Sequence, residues 1–263
     1  MSTSSRGRTV VVHPDPTMLA RATAARLLVR LLDAQSTHRP VHVALTGGTV
    51  GIATLAEVCT SPLRDAVDWT GVHVWWGDER FLPSGDPERN ETQARDALLD
   101  ALDIPTANVH PVPPPGGEIS TPEQSAEAYA EELARYAVTA TPAGVAAPAS
   151  DDSGPAVPRF DVVLLGMGPD GHIASLFPGH EALGVTDRTV VGVHGSPKPP
   201  PERVSLTYPA LEAAEEVWLV VAGADKADAA ARALGGADIT GTPAAGALGR
   251  VRTLWLLDVA AAG

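Results

Sequence analysis

An aspartate and a histidine lie two residues apart, at Asp170 and His172, just beyond a strongly apolar run of the chain. Residues 160–165 have the composition of a buried parallel strand, and the Gly-Met-Gly-Pro sequence of residues 166–169 ends it. An imidazole, with a pKa of about 6.5, can take up and return a proton near neutral pH, and a carboxylate can orient it. The pair is therefore a candidate for general acid–base chemistry. The alternatives are a structural histidine bonded within the loop and an aspartate that caps the turn beginning at Ile173.

A glycine-rich turn follows another predicted strand. Gly47, Gly48 and Thr49 lie between an apolar segment at residues 41–45 and a predicted helix near residues 50–58. Backbone N–H groups and the positive end of the helix dipole favour a phosphate at such a position. The turn has neither the sequence of a P-loop nor that of a dinucleotide-binding loop, so a tight turn without a ligand is the competing interpretation.

Charged side chains adjoin several other predicted strands. Asp78 and Arg80 follow the strand that ends in two tryptophans, and Arg203 and Lys226 each lie close to a strand end. Arginine and lysine at such positions could bind an anionic ligand, and solvated surface charges are the alternative interpretation. Lys198 lies in a proline-rich stretch of polyproline-like stiffness, where a solubilising charge is an equally simple reading.

The overall composition disfavours several classes of partner. The 263-residue chain carries a formal net charge of -13, whereas nucleic acids and anionic membranes select basic surfaces. No apolar run is long enough to span a bilayer, and the first residues lack the apolar segment of a secretory signal. The single cysteine, Cys59, cannot form an internal disulfide, which favours a reducing compartment. We therefore expect a cytoplasmic globular protein whose ligand is a small molecule.

Strands and helices alternate along the chain. Predicted strands cover residues 9–13, 41–45, 72–76, 160–165, 189–193, 203–206, 217–221 and 253–257, and helices are predicted near residues 17–35, 50–58, 91–102, 122–137 and 225–234. Repeated β-then-α order with nearly continuous Val/Leu strands predicts a mostly parallel twisted sheet with helices on both faces. We therefore expect a single α/β domain of Rossmann-like architecture over residues 1–263, with its site at the carboxyl ends of the strands.

One segment departs from this alternation. Residues 139–158 are rich in Ala, Pro, Gly and Asp, and the strand-helix order resumes in the same style after them. This composition predicts a flexible surface insertion and not a domain boundary. With few large apolar side chains to bury, the segment is expected to contribute little to stability.

Together these motifs resemble those of bacterial 6-phosphogluconolactonases, in a superfamily that also contains glucosamine-6-phosphate deaminases. The resemblance extends over nearly the whole chain and includes Gly47-Gly48, the Gly-Asp-Glu-Arg segment 77–80, Asn90, the segment 166–172, the Ser-Leu-Phe-Pro segment 175–178 and residues 199–207. Deaminases tend to have Asp-Glu-Tyr where this chain has Asp-Glu-Arg at residues 78–80. After the Asp-Gly-His turn they have a Phe-Asn-Glu-Pro type sequence where this chain has residues 175–178. Arg80 and residues 175–178 therefore favour the lactonase branch. One departure is Arg89, which precedes Asn90 where serine is common.

The resemblance implies hydrolysis of 6-phospho-D-glucono-1,5-lactone to 6-phosphogluconate in the oxidative pentose phosphate route, without a metal or cofactor. His172 would act as the general base toward water, and Asp170 would orient it or take part in proton transfer. Substrate and phosphate would be bound by the remaining candidates, which are Gly47, Gly48, Thr49, Asp78, Arg80, Arg203 and Lys226. The expected partner is a phosphosugar lactone, bound by a monomer.

Two alternative functions stay open. A deaminase or isomerase acting on an amino-sugar phosphate would need a carboxylate acting with His172 beyond Asp170, and residues 175–178 offer none. A non-catalytic sugar-phosphate sensor would keep the binding pocket and would more naturally have lost His172.

Overall fold

The computed structural model describes residues 7–137 and 155–263 of the chain. Its central feature is a six-stranded sheet in the order β1 (Arg8–His13), β9 (Arg252–Asp258), β8 (Glu216–Val221), β5 (Phe160–Leu165), β2 (Val41–Leu45) and β3 (Val72–Trp76). All neighbouring strands in this sheet run parallel. The prediction of a mostly parallel α/β sheet is therefore confirmed.

The central strands are covered on both faces. Every residue of β2, β5 and β8 is buried, as expected for nearly continuous apolar runs with no solvent-facing side. The helices are α1 (Pro16–Thr37), α2 (Thr49–Thr60), α3 (Asn90–Ala97), α4 (Pro122–Arg135), α5 (Tyr208–Glu212), α6 (Ala227–Leu234) and α7 (Val259–Ala262). Over the described ranges, none of them is long and apolar enough to cross a membrane.

A second, smaller sheet lies beside the first. It contains β4 (Asp78–Arg80), β7 (Arg203–Leu206) and β6 (Val190–Val193), which pair antiparallel in that order. Residues 189–193 and 203–206 were predicted as strands and do form β6 and β7, but they lie in this antiparallel sheet and not in the parallel one. Residues 78–80, predicted only to follow the third strand, form the third member of the small sheet. The link of residues 194–202 is shorter than the dozen or more residues that a parallel crossover requires, so β6 and β7 can only run antiparallel as neighbours.

The order of strands creates a crevice at one edge of the large sheet. After β2 the chain moves outward to β3 and later returns to place β5 on the other side of β2. Connections therefore leave β2 and β5 in opposite directions, and ligands of open α/β sheets bind at such a switch point. Residues 46–49 follow β2 and residues 166–172 follow β5, so both predicted loops lie at this edge.

Ion pairs concentrate at the opposite edge, where the strands begin. The Arg30 guanidinium of α1 contacts the carboxylates of Asp161, Glu215 and Glu216 at 3.3, 2.8 and 3.1 Å. Asp161 also accepts a hydrogen bond of 3.0 Å from the backbone N–H of His42, on the neighbouring strand. These contacts join α1 to the amino ends of β2, β5 and β8.

The predicted surface insertion falls largely outside the described residues, which stop at residue 137 and resume at residue 155. Of its predicted span, only residues 155–158 are described. Val157 among them is 6% exposed and packs with the hydrophobic core. The boundary of the segment therefore has to be moved back to before Val157, and the rest of that prediction stays a prediction.

Candidate active site

The predicted loops and charges meet in one cleft at the carboxyl edge of the large sheet. The cleft has a volume of about 290 Å³ and takes walls from the ends of β2 and β5, from β4 and from the segment before β7. All predicted site residues but one line it, namely Gly47, Gly48, Thr49, Asp78, Arg80, His172, Arg203 and Lys226. The remaining one, Asp170, contacts His172.

The histidine and the aspartate form a hydrogen-bonded pair. The Asp170 Oδ1 atom lies 2.5 Å from Nδ1 of His172, and the imidazole also packs against the Phe177 ring with centroids 4.6 Å apart. A carboxylate at Nδ1 assigns the proton of the neutral ring to that nitrogen, which leaves Nε2 free to act as a base. Burial alone would raise the pKa of Asp170, but its hydrogen bond to His172 and the charges of His172 and Lys198 outweigh this and lower it to about 2. Asp170 is therefore held as a carboxylate.

Glycine makes this pairing possible. A Cβ atom on Gly168 would lie 2.1 Å from both Cε1 and Nδ1 of His172 and 2.5 Å from Oδ1 of Asp170. The turn is closed by hydrogen bonds from the N–H of Gly171 to the Gly168 carbonyl and from the N–H of Gly168 to the His172 carbonyl. Gly171 has a φ of +89°, which L side chains rarely adopt. The glycine-rich sequence is thus required by the geometry of the Asp–His pair.

The turn after β2 presents a helix N-terminus to the cleft. Gly48, with a φ of +81°, is the residue before α2 and, as a glycine, has no side chain with which to cap the helix. The first N–H groups of α2 therefore have no intrahelical acceptor and lie at the positive end of the helix dipole, where an anion is favoured. The Thr46 hydroxyl accepts a 3.1 Å hydrogen bond from the N–H of Gly166, which joins this turn to the one after β5.

Four basic residues line the cleft, and three of them, Arg80, Arg203 and Lys226, are those that the sequence predicts as ligand-binding residues. The fourth is Lys198, whose proline-rich surroundings suggested only a solubilising charge. Partial burial lowers the pKa of Lys198; Asp170 opposes this shift, and the charges of Lys226 and Arg203 add to it. The signal that could have found Lys198 is its position five residues before Arg203, on the segment that leads into β7.

Arg203 both lines the cleft and binds the proline-rich segment that carries Lys198. It is 5% exposed, and its guanidinium donates hydrogen bonds of 3.1 Å to the backbone carbonyls of Lys198, Pro199 and Pro200. It therefore holds the proline-rich segment in place while it also lines the cleft. Arg80 is less buried and donates from Nη1 to the carbonyl of Glu88.

Asp78 is bound by a serine. Its Oδ2 atom accepts a 2.7 Å hydrogen bond from the hydroxyl of Ser175, whose own N–H donates to the Ser205 hydroxyl at 3.2 Å. The Ser175 hydroxyl thus pairs with a carboxylate and not with an imidazole, which is not the arrangement of a serine nucleophile with its base. Among the described residues, no group of three or more His, Cys, Asp or Glu side chains is arranged to hold a metal ion.

The fold and the site together define a class of protein: an α/β protein in which one cleft brings a helix N-terminus and several cations beside a hydrogen-bonded Asp–His pair. The chain belongs to the family described as glucosamine-6-phosphate isomerases/6-phosphogluconolactonase, whose model matches residues 14–255.

Known relatives agree with this assignment over nearly their full lengths. The chain is 54% identical to the 6-phosphogluconolactonase of Streptomyces coelicolor over 254 residues, which are 96% of this chain and 93% of that protein. It is 45% identical to the 6-phosphogluconolactonase of Mycobacterium tuberculosis over 95% of each chain. Among solved structures, the 6-phosphogluconolactonase of Trypanosoma cruzi matches with a TM-score of 0.79 and 27% identity, covering 100% of this chain and 98% of that one.

Proposed function

We propose that the protein hydrolyses 6-phospho-D-glucono-1,5-lactone to 6-phosphogluconate, in the oxidative pentose phosphate route. The observation that carries this proposal is the Asp170–His172 pair, which lies at the same cleft as four basic side chains and the N-terminus of α2. A lactone with a remote phosphate requires such a combination, because the anion must be bound at one end while a proton is removed from water at the other.

The hydrolysis needs one group that both accepts and returns a proton. Nε2 of His172 takes a proton from water as the water oxygen attacks the lactone carbonyl. The tetrahedral intermediate then expels the ring oxygen, which leaves as a hydroxyl after the imidazolium returns the proton. Asp170 keeps the ring in the productive tautomer and stabilises the imidazolium between these two steps.

The phosphate serves to position the reacting carbonyl. Arg80, Lys198 and Lys226, with the N–H groups at the start of α2, bind its oxygens, and Arg203 adds charge and holds the segment that carries Lys198. Fixing a group that takes no part in bond breaking lowers the entropy cost of aligning water, carbonyl and imidazole. Asp78 faces the sugar hydroxyls from the cleft wall, where the buried Ser175 hydroxyl holds its carboxylate.

A direct assay of both candidate activities tests the proposal. Freshly generated 6-phosphogluconolactone is supplied at constant pH, and acid release is measured above the spontaneous rate; glucosamine 6-phosphate is tested in parallel for ammonia. We expect lactone hydrolysis and no ammonia. Ammonia release with lactone hydrolysis at its background rate would instead assign the deaminase function.

A binding protein without activity is the remaining alternative. The parent protein and the His172→Ala variant, compared in binding and in turnover, distinguish it from an enzyme that uses His172 as its base. If His172 is the general base, the variant should fold and bind 6-phosphogluconate like the parent, while its turnover falls by about a hundred- to ten-thousand-fold. Binding of 6-phosphogluconate by a parent protein that does not accelerate hydrolysis would identify a sensor.

We further propose that the protein works as a monomer in the cytoplasm. One chain supplies every wall of the cleft, and the single cysteine suits a reducing compartment. Light scattering after size-exclusion chromatography should give a mass near 27.1 kDa. A stable dimer at micromolar concentration would refute the monomer.

A further inference from the structure

We propose that Glu79, buried behind the cleft, is a positioning residue that fixes the backbone of Arg80 and holds Asn90 against Gly47, and so sets the affinity for the phosphorylated end of the substrate. This inference rests on the proposed lactonase function. Glu79 is fully buried and is not among the residues that line the cleft, so it can act on a ligand only through its neighbours.

The Glu79 carboxylate receives three backbone hydrogen bonds. Oε1 accepts from the N–H groups of Arg80 at 2.8 Å and Asn90 at 2.7 Å, and Oε2 accepts from the N–H of Glu91 at 2.8 Å. The residue before α3, Arg89, provides no side-chain cap of its own. Glu79 therefore caps α3 from a different element, and in doing so it joins the start of the helix to β4.

Asn90 extends this connection to the phosphate-binding turn. Its Nδ2 atom donates a 2.8 Å hydrogen bond to the carbonyl of Asp78, which fixes the orientation of the amide because the flipped amide would set two oxygens against each other. The Oδ1 atom then lies over Gly47, only 1.9 Å from the position that a Cβ atom on that glycine would take.

The close approach of Asn90 explains why residue 47 is a glycine. Oδ1 of Asn90 is buried and has no conventional hydrogen-bond donor among the described residues, and it lies where a Cβ on Gly47 would be, so only a glycine, with a hydrogen in that direction, allows the approach. Asn90 thus bridges β4 and the turn before α2. Its side chain therefore links the wall that carries Arg80 with the turn that presents the N–H groups of α2.

The site of Glu79 is specific for a carboxylate. Arg89, fully buried, has its Nη2 atom 3.8 Å from Oε2 of Glu79 and donates to the carbonyls of Leu82 and Val112. Burial raises the pKa of Glu79 to about 7, although Arg89 and the three N–H donors oppose this shift. A glutamine offers only one acceptor oxygen, and its NH2 group would face at least one of the backbone N–H groups, so Glu79→Gln should loosen the cap without changing side-chain size.

The experiment compares Glu79→Gln and Asn90→Ala with the control Glu91→Gln. The Glu91 carboxylate pairs with Arg89 at 3.2 Å and with Arg95 at 3.0 Å, so its variant removes a charge from the same network and leaves in place the three backbone hydrogen bonds that Glu79 accepts. For each protein we would measure KM and kcat for the phosphorylated lactone, KM for unphosphorylated glucono-1,5-lactone, the dissociation constant of 6-phosphogluconate by calorimetry, and the melting temperature.

We expect both test variants to raise KM and the dissociation constant of 6-phosphogluconate by about five- to ten-fold, the size of a lost hydrogen bond or two. Their kcat should stay within about two-fold of the parent value, because Asp170 and His172 lie on the loop after β5 and do not contact Glu79 or Asn90. The preference for the phosphorylated lactone should shrink, and the control should keep the parent KM. In the Glu79→Gln/Asn90→Ala double variant, the two increases in KM should not multiply.

A lower melting temperature with unchanged KM and dissociation constant in both test variants would show that Glu79 and Asn90 only stabilise the fold and would overturn the inference. Asn90 lines the cleft, so Asn90→Ala alone would not separate positioning from a direct contact with the ligand. If Glu79→Gln fails to fold, Glu79→Asp, which keeps both acceptor oxygens on a shorter side chain, is measured in its place and is expected to raise KM in the same direction. Failure of the proposed function would look different. The parent protein would then show no lactone hydrolysis, and the calorimetric comparison of 6-phosphogluconate binding would still decide whether Glu79 and Asn90 position the cleft.

Discussion

Replacing Gly168 with alanine should disable the protein as a catalyst without unfolding it. The added methyl carbon would lie 2.1 Å from two atoms of the His172 ring and 2.5 Å from Oδ1 of Asp170. Non-bonded carbon atoms approach to about 3.5 Å at best, so the ring must retreat by roughly 1.4 Å or the Asp–His hydrogen bond must break. Both groups are side chains at the cleft and can move into solvent, which limits the damage to the core.

The expected loss follows from that displacement. A misplacement of about 1 Å in a catalytic group can cost about a hundred-fold in rate, which is about 2.7 kcal/mol of transition-state stabilisation. We therefore expect kcat of Gly168→Ala to fall by at least that factor in the acid-release assay, with 6-phosphogluconate still bound.

The matched control for this variant is Gly166→Ala, on the same loop. There the nearest atom to the new Cβ is Oγ1 of Thr46 at 3.6 Å, an ordinary contact, so kcat should stay close to the parent value. If Gly168→Ala hydrolysed the lactone at the parent rate, the Asp170–His172 pair in this geometry could not be the catalytic base.

Three further predictions concern charge and proton binding. Lys198→Ala should raise KM for the phosphorylated lactone about ten-fold or more and leave KM for the unphosphorylated lactone unchanged, as measured by steady-state kinetics. Asp170→Asn should lower kcat, by less than His172→Ala does if Asp170 only orients the ring; an equal loss would make Asp170 part of the proton transfer. Burial, with nearby imidazoles adding to it, lowers the pKa of His42 to about 3, and its Nδ1 accepts a 3.1 Å hydrogen bond from Nε1–H of Trp75. Below pH 6.5 the His42 imidazole therefore binds a proton in the unfolded chain but not in the folded protein. The free energy of unfolding should consequently decrease on acidification, by about 2 kcal/mol at pH 5 from this group. Urea unfolding of the parent and of His42→Gln should show a shallower pH dependence in the variant, and identical slopes would contradict the assignment.

The sequence was sufficient for the parallel core and insufficient for the second sheet. Runs such as residues 160–165 and 217–221 are apolar on both sides, and only a covered parallel sheet accommodates them. The short strands β4, β6 and β7 have no such pattern, and Asp78 and Glu79 are polar residues within a buried strand. Their burial depends on partners far along the chain, such as Ser175 and the N-terminus of α3, which no local pattern reveals.

The candidate site, too, could be predicted from the sequence only in part. Residues at the ends of β2 and β5 could be assigned because adjacent parallel strands bring their carboxyl ends to one edge. Lys198 could not, because a lone lysine between prolines has the composition of a solvated segment. Its segment is held at the cleft by tertiary contacts that include the hydrogen bonds of Arg203 to the carbonyls of Lys198 and Pro199. Asn90 was recognised as part of the family pattern, but its packing over Gly47 depends on tertiary structure.

The two ends of the strands in the large sheet hold different kinds of residues: stabilising contacts at the amino ends and the cleft at the carboxyl ends. The ion pairs of Arg30 and the buried imidazole of His42 lie where the strands begin, whereas the cleft lies where they end. A strand of five or six residues spans about 17–20 Å, so substitutions at one edge are too far from the other to share partners. Thermal robustness and turnover are therefore separate traits in this fold. Protein engineering could raise the thermal stability by redesigning the amino ends of the strands. Changes at those positions would avoid the loss of activity that often accompanies stabilising changes near a catalytic centre.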